Sequence, residues 1–208
     1  MSPPTARATN VTPVAHKVAA ADRCARNGHA GGVLWLTGLP GAGKTTLAIE
    51  AEKRLFELGY QVYVLDGDEL RHGLSADLDF APSARAENIR RVGEVAALMA
   101  RAGLIAIAAF ISPYRSDRAG ARRAAGKAEK VGFHEIHVRA DLATCERRDP
   151  KGHYKQARAG LIADFTGIGA PYETPDSPDL VVDTSHDPVA VSVARLVDYA
   201  AGRFHLDR

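Results

Sequence analysis

A chain of 208 residues with 46% hydrophobic and 25% charged side chains holds enough apolar material for one ordinary packed domain, which excludes a disordered or fibrous protein. A net charge of +2 is too small to imply a nucleic-acid partner by itself. The longest apolar run, Leu104 to Phe110, is too short to span a bilayer, so no membrane partner is expected.

Residues 1–30 read as an N-terminal extension. Ser2-Pro3-Pro4-Thr5 and the Ala/Thr-rich stretch behind it lack the apolar block of a secretory signal. A partly disordered tail without a catalytic role is the expectation there, with a short helix around Val14 to Arg26, ended by Asn27-Gly28, as the ordered alternative. The domain is expected over residues 31–208. Cys24 and Cys145 lie far apart with no metal-ligand spacing, and a reduced, cytoplasmic chain is the simpler reading.

Val33 to Thr37 is an unbroken apolar run ending in a Gly/Pro-rich turn, the pattern of a strand covered on both faces. From Lys44 the period becomes helical, with Leu47, Ala51, Leu55 and Leu58 on one side and Gly59 as the stop. Gln61 to Leu65 reads as a second strand ending at Asp66, Arg85 to Arg101 as a long helix, and Leu104 to Phe110 as the third strand. Ser116 to Lys130 follows as a helix, Glu135 to Val138 as a short strand, Leu180 to Asp183 as a fifth, and Pro188 to Ala201 as the last helix. Strands alternating with helices at this spacing predict an α/β fold: a parallel sheet of about five strands with helices on both faces. Ligands then bind at the carboxyl ends of the strands, where Thr37, Asp66, Phe110 and Asp183 fall.

Gly38-Leu39-Pro40-Gly41-Ala42-Gly43-Lys44-Thr45 satisfies G-x-x-x-x-G-K-[ST], between a buried strand and an amphipathic helix. The glycines turn backbone N–H groups inward on phosphate oxygens, and the helix adds its positive end. Lys44 is placed on the β- and γ-phosphates of ATP, Thr45 on Mg²⁺, and Thr46 beside them. The fold is therefore of the P-loop NTPase type. No guanine-reading N-K-x-D motif is present, and a basic segment late in the chain favours a kinase with a closing lid over a switch GTPase.

Asp66 and Asp68 stand just past the second strand with Arg71 close behind. Transfer to an alcohol needs a group that orients the hydroxyl and takes its proton, within a cationic surround. The competing reading is that both carboxylates only cap the next helical turn. Here the chain resembles adenylylsulfate kinases. The matching stretches are Leu65 to Leu74, Arg85-Ala86-Glu87-Asn88-Ile89-Arg90-Arg91-Val92-Gly93-Glu94-Val95, Ala109-Phe110-Ile111-Ser112-Pro113-Tyr114-Arg115, Arg148-Asp149-Pro150-Lys151-Gly152, Ala157-Arg158-Ala159-Gly160, Phe165-Thr166-Gly167-Ile168 and Pro171-Tyr172-Glu173.

The resemblance implies transfer of the ATP γ-phosphate to the 3′-hydroxyl of adenylylsulfate, and a homodimer. It implies Asp66 as base and indirect Mg²⁺ contact, with Asp68 supporting it. It places Arg71, Arg85 and Asn88 on the phosphosulfate and its ribose, where guanidinium forks suit the oxygens. Phe80 and Phe165 resemble the two sides of an adenine sandwich, ordinary core aromatics being the alternative. Ile111-Ser112 resembles the family's substrate contact, and Ser112, counted with Asp66 and Lys44 as catalytic, is a position the family describes as phosphorylated. In-line transfer needs no protein nucleophile and no nearby histidine or lysine would activate Ser112, so a hydrogen-bonding role is expected.

Arg147, Arg148, Lys151, Lys155 and Arg158 cluster among Pro150, Gly152 and Gly160; composition alone favours a solvated basic loop, and beside an anionic site residues 147–167 are expected to form a mobile lid. Lys151 carries over as a substrate contact, Arg147 and Arg148 as ATP contacts. His134 and His137 point to opposite faces of a strand and form no metal pair, His72 reads as structural or as a minor substrate neighbour, and Cys145 on a short helix as a small buried side chain. Five positions depart from the family: Glu69 where asparagine is usual, Pro40 and Ala42 in place of loop serines, and Arg139-Ala140 in place of an acidic strand end. An extra carboxylate at Glu69 weakens anion binding unless it points away or pairs with Arg71. The rival readings are a kinase of the same architecture acting on another nucleotide or small alcohol, and a non-catalytic sensor of 3′-phosphoadenylylsulfate.

Overall fold

The computed structural model of the protein describes residues 10, 12, 16–126 and 131–205. Its elements in order are α1 (Ala20–Asn27), β1 (Gly32–Thr37), α2 (Lys44–Glu57), β2 (Val62–Asp66), α3 (Gly67–Arg71), α4 (Pro82–Arg101), β3 (Ile105–Ala109), α5 (Arg115–Gly126), β4 (Gly132–Arg139), α6 (Leu142–Arg148), α7 (His153–Arg158), β5 (Leu180–Asp183) and α8 (Val189–Phe204). The strands form one sheet in the order β2-β3-β1-β4-β5, every pair parallel.

Because side chains alternate along a strand, β1 feeds two cores. Leu34 and Leu36 pack with Leu47, Ala51 and Leu55 of α2 and Leu196 of α8, whereas Val33 and Trp35 pack with Val92 and Ala96 of α4 and Ala121 of α5. β3 is divided the same way, Ile105 and Ile107 to the first face and Ala106 and Ala108 to the second. The small second face lets α4 and α5 approach closely: a Cβ on Gly93 would lie 2.9 Å from Ala121 Cα. Edge strand β2 is covered on its margin, its Val64 N–H donating to Glu52 Oε1 at 2.8 Å.

Several element bounds differ from expectation. β4 starts at Gly132, not Glu135, because Gly132 and Phe133 pair with Gly32 and Val33. α4 starts at Pro82, which suits the first helical position. α5 runs to Gly126 among the described residues; Lys127 to Lys130, Val14 and the Ser2–Thr5 stretch lie outside them. Upstream of Gly31, Asn27 Nδ2 donates to the Gly103 carbonyl at 2.9 Å, and buried His29 accepts the Gln61 N–H through Nε2 at 2.9 Å. His134 packs edge-on against Tyr199 and Phe204, while His137 stacks on Tyr172. No helix among the described residues is long and apolar enough to cross a membrane.

Candidate active site

Loops leaving the carboxyl ends of β1, β2, β3 and β5 line one cavity of about 1150 Å³. The chain leaves β1 at Thr37 and turns through six residues before α2 begins. Gly41 and Gly43 have φ of 74° and 92°, left-handed values that glycine adopts freely. The Lys44 side chain folds back into this turn, and Nζ donates to the Gly38 and Leu39 carbonyls at 2.9 and 2.8 Å. Burial lowers its pKa to about 8, with the neighbouring Asp66 carboxylate opposing the shift.

The start of α2 and the end of β2 meet in one hydrogen bond. Thr45 Oγ1 donates to Asp66 Oδ2 at 2.8 Å, while Asp66 Oδ1 accepts the Asp68 N–H at 2.9 Å and caps α3. One carboxylate oxygen thus serves the helix and the other faces the loop hydroxyl. Asp68 pairs across the opening with Lys151.

On the far side of the cavity, Arg71 Nη1 donates to the Leu78 and Asp79 carbonyls, and its guanidinium lies 4.3 Å from the Phe80 ring centroid. Burial and the adjacent Arg85 lower the Arg71 pKa, the mark of positive charges gathered at one wall. Arg85 donates to the Phe80 carbonyl at 2.7 Å and to the Asp164 carbonyl at 3.1 Å. Asn88 is 4% exposed and its Oδ1 has no partner. A buried polar atom left unpaired is costly, and this one belongs to a residue lining the cavity. Phe80 is exposed, whereas Phe165 is buried edge-on against Tyr154, 5.0 Å between centroids.

Ile111 and Ser112 line the cavity at the end of β3. Ser112 is buried, and its Oγ accepts from Trp35 Nε1 at 3.1 Å and leans on the Phe110 carbonyl at 3.4 Å. Neither contact is with a base.

The cavity wall includes Pro40, Gly41, Gly43, Lys44, Thr45, Thr46, Asp66, Asp68, Arg71, Phe80, Arg85, Asn88, Ile111, Ser112, Arg148, Lys151 and Phe165. Gly38, Leu39, Ala42 and Arg147 are not part of it. Gly38 and Leu39 act through the carbonyls that hold Lys44, and Ala42 is buried. Arg147 turns to Thr144 Oγ1 at 2.9 Å, whereas Arg148 reaches the Gly41 carbonyl and Thr184. Glu69 is exposed and lies outside the wall, so its charge does not face the cavity. Arg139 pairs with Asp183 at 2.8 Å, which balances the basic strand end.

Two wall residues had no sequence signal. Tyr154 donates from its hydroxyl to the Pro40 carbonyl at 2.9 Å, and Thr184 Oγ1 donates to the Ala42 carbonyl at 2.8 Å. Both brace the glycine turn from segments far away in sequence, and a tyrosine or threonine in a loop announces nothing by type or spacing.

A model of the family described as adenylylsulphate kinase matches residues 30–183. An adenylyl-sulfate kinase of Shewanella amazonensis is 53% identical over 184 residues, covering 88% of this chain and 91% of its own. One of Bacillus pumilus is 54% identical over 174 residues, covering 84% and 87%. The solved structure of the Mycobacterium tuberculosis APS kinase in complex with AMPPNP and APS aligns with a TM-score of 0.78 at 44% identity, over 81% of this chain and 96% of that one. With its glycine turn, strand-end carboxylate and arginine wall in one cavity, the chain belongs to the adenylylsulphate kinase family.

Proposed function

We propose that the protein transfers the γ-phosphate of ATP to the 3′-hydroxyl of adenylylsulfate, giving ADP and 3′-phosphoadenylylsulfate. The observation that carries this reading is the Thr45–Asp66 hydrogen bond, which joins the phosphate loop to a strand-end carboxylate on the cavity wall. The ribose oxygen attacks the γ-phosphorus, the bond to the β-phosphate oxygen breaks, and Asp66 takes the hydroxyl proton. Lys44 leaves its two carbonyls for the β- and γ-phosphates. Arg71, Arg85 and Asn88 grip the phosphosulfate and ribose, and Phe80 and Phe165 flank the adenine. Ile111-Ser112 contacts the substrate, Ser112 by hydrogen bonding. Asp68 supports Asp66. Arg148 is the ATP contact of its pair, and Arg147 would have to turn from Thr144 to join it.

Mg²⁺ fits Thr45 and Asp66, a hydroxyl and a carboxylate side by side, because this hard cation keeps waters and phosphate oxygens instead of a full protein cage. When bound, the ion neutralises charge on the β- and γ-phosphates.

Residues 147–167 act as a lid. Lys151 at Asp68 and the Asp164 carbonyl at Arg85 are its two latches across the cavity. We further infer a cytoplasmic homodimer with reduced cysteines, and light scattering that returned a monomer would reject the dimer. The reaction is tested by offering adenylylsulfate, AMP and several nucleosides in an ADP-release assay. Turnover with adenylylsulfate alone supports the reading. Turnover with another acceptor, or tight binding of 3′-phosphoadenylylsulfate without turnover, overturns it.

A further inference from the structure

Arg118, in the first turn of α5, is 3% exposed and lies outside the cavity wall. Its guanidinium has three acceptors. Nε donates to Glu135 Oε1 at 2.5 Å, Nη1 to the Ser112 carbonyl at 2.7 Å, and Nη2 to the Glu173 carbonyl at 2.8 Å. A buried charge of this kind persists only when paired and hydrogen-bonded, and here the bonds converge on one turn.

That turn is under strain. Ser112 has φ of 38°, and with Asp164 it is one of two non-glycine residues in the left-handed region among those described. Such backbone holds only where its surroundings over-determine it. Three buried donors do so: Trp35 Nε1 on Ser112 Oγ at 3.1 Å, Thr37 Oγ1 on the Ile111 carbonyl at 2.7 Å, and Arg118 on the Ser112 carbonyl. Among the described residues the N–H groups of Ile111 and Ser112 have no backbone acceptor, and both residues face the cavity. The turn therefore lies on the cavity wall on a fixed support.

We propose that Arg118, charge-balanced by Glu135, is a positioning residue for the acceptor substrate, holding the Ile111–Ser112 turn in its left-handed form without touching the ligand. The proposal rests on the adenylylsulfate reading above. A lysine cannot replace it, because three acceptors in a plane need a fork and not a point charge. The phosphate loop is braced by other groups, Tyr154 and Thr184, so the effect falls on one substrate only.

The test compares wild type with Arg118→Lys and Glu135→Gln in the full chain. For Arg118→Lys, KM for adenylylsulfate should rise about tenfold while KM for ATP stays within about twofold, the signature of a misplaced contact on one side of the site. Trp35, the chain's one tryptophan, supplies a second readout. Its emission should respond to adenylylsulfate in wild type and lose that response in the variant. Should Arg118→Lys fail to fold, Glu135→Gln keeps an acceptor for Nε and should give the same split in weaker form. A folded variant with an unchanged acceptor KM, an equal rise in both KM values, or an intact Trp35 response overturns the proposal. If wild type turns out to phosphorylate a different alcohol, the functional reading fails by itself, and the same split is read with that acceptor.

Discussion

Lys44 is held in the free protein by two carbonyls in a buried niche that lowers its pKa to about 8. Phosphates arriving beside it favour the charged form and return the pKa above its free value. From the free-state value, Lys44 is about nine-tenths charged at pH 7 and about one-tenth charged at pH 9. Nucleotide binding should then take up about 0.1 proton at pH 7 and about 0.9 at pH 9. Because the free-state pKa is the lower one, affinity is full below pH 8 and declines as pH rises through it, with Kd increasing about tenfold from pH 7 to pH 9. Calorimetry with ADP, whose last phosphate ionisation lies near about 6, in buffers of different ionisation enthalpy measures the uptake directly. Lys44→Met should abolish both the uptake and phosphate transfer. A Kd that is flat from pH 7 to 9, with heats independent of buffer, would refute the argument.

Asp66→Asn keeps a cap for α3, so its Tm should stay within about 3 °C of wild type, while kcat drops about 10²- to 10⁴-fold; an active Asp66→Asn would remove Asp66 as the base. Asn88→Leu removes a buried oxygen that has no partner, so thermal unfolding should shift up or stay level while KM for adenylylsulfate climbs. Gly93→Val forces a side chain into the contact with Ala121 and should cost about 1–3 kcal/mol, seen as a lower denaturant midpoint with near-normal KM values. Lys151→Ala breaks an exposed pair worth less than about 1 kcal/mol, so Tm should hold while turnover falls and ATP hydrolysis without acceptor increases.

The strand–turn–helix from Val33 to Leu58 was legible because local pattern and tertiary role agree there: the apolar run is buried on both faces, and the stop at Gly59 has φ of 93°. The start of β4 was hidden because Gly132 carries no strand signal and joins the sheet only through its partner Gly32. Arg118 looked like any other arginine in the arginine-rich α5; only the placement of Glu135, Ser112 and Glu173 around it separates it from Arg122, which is half-exposed. Arg147 and Arg148 show the limit of a pattern without geometry, since adjacent helical residues point in different directions and just one of them meets the glycine turn.

The carboxylate of Glu52 on the Val64 N–H has a use beyond this molecule's own packing. A sheet margin with open donors invites a strand from a neighbouring chain. Here that rung is already occupied by a charged group that an incoming backbone would have to displace. Copies of the protein that meet at this margin gain no continuous ladder unless Glu52 first gives up the Val64 N–H.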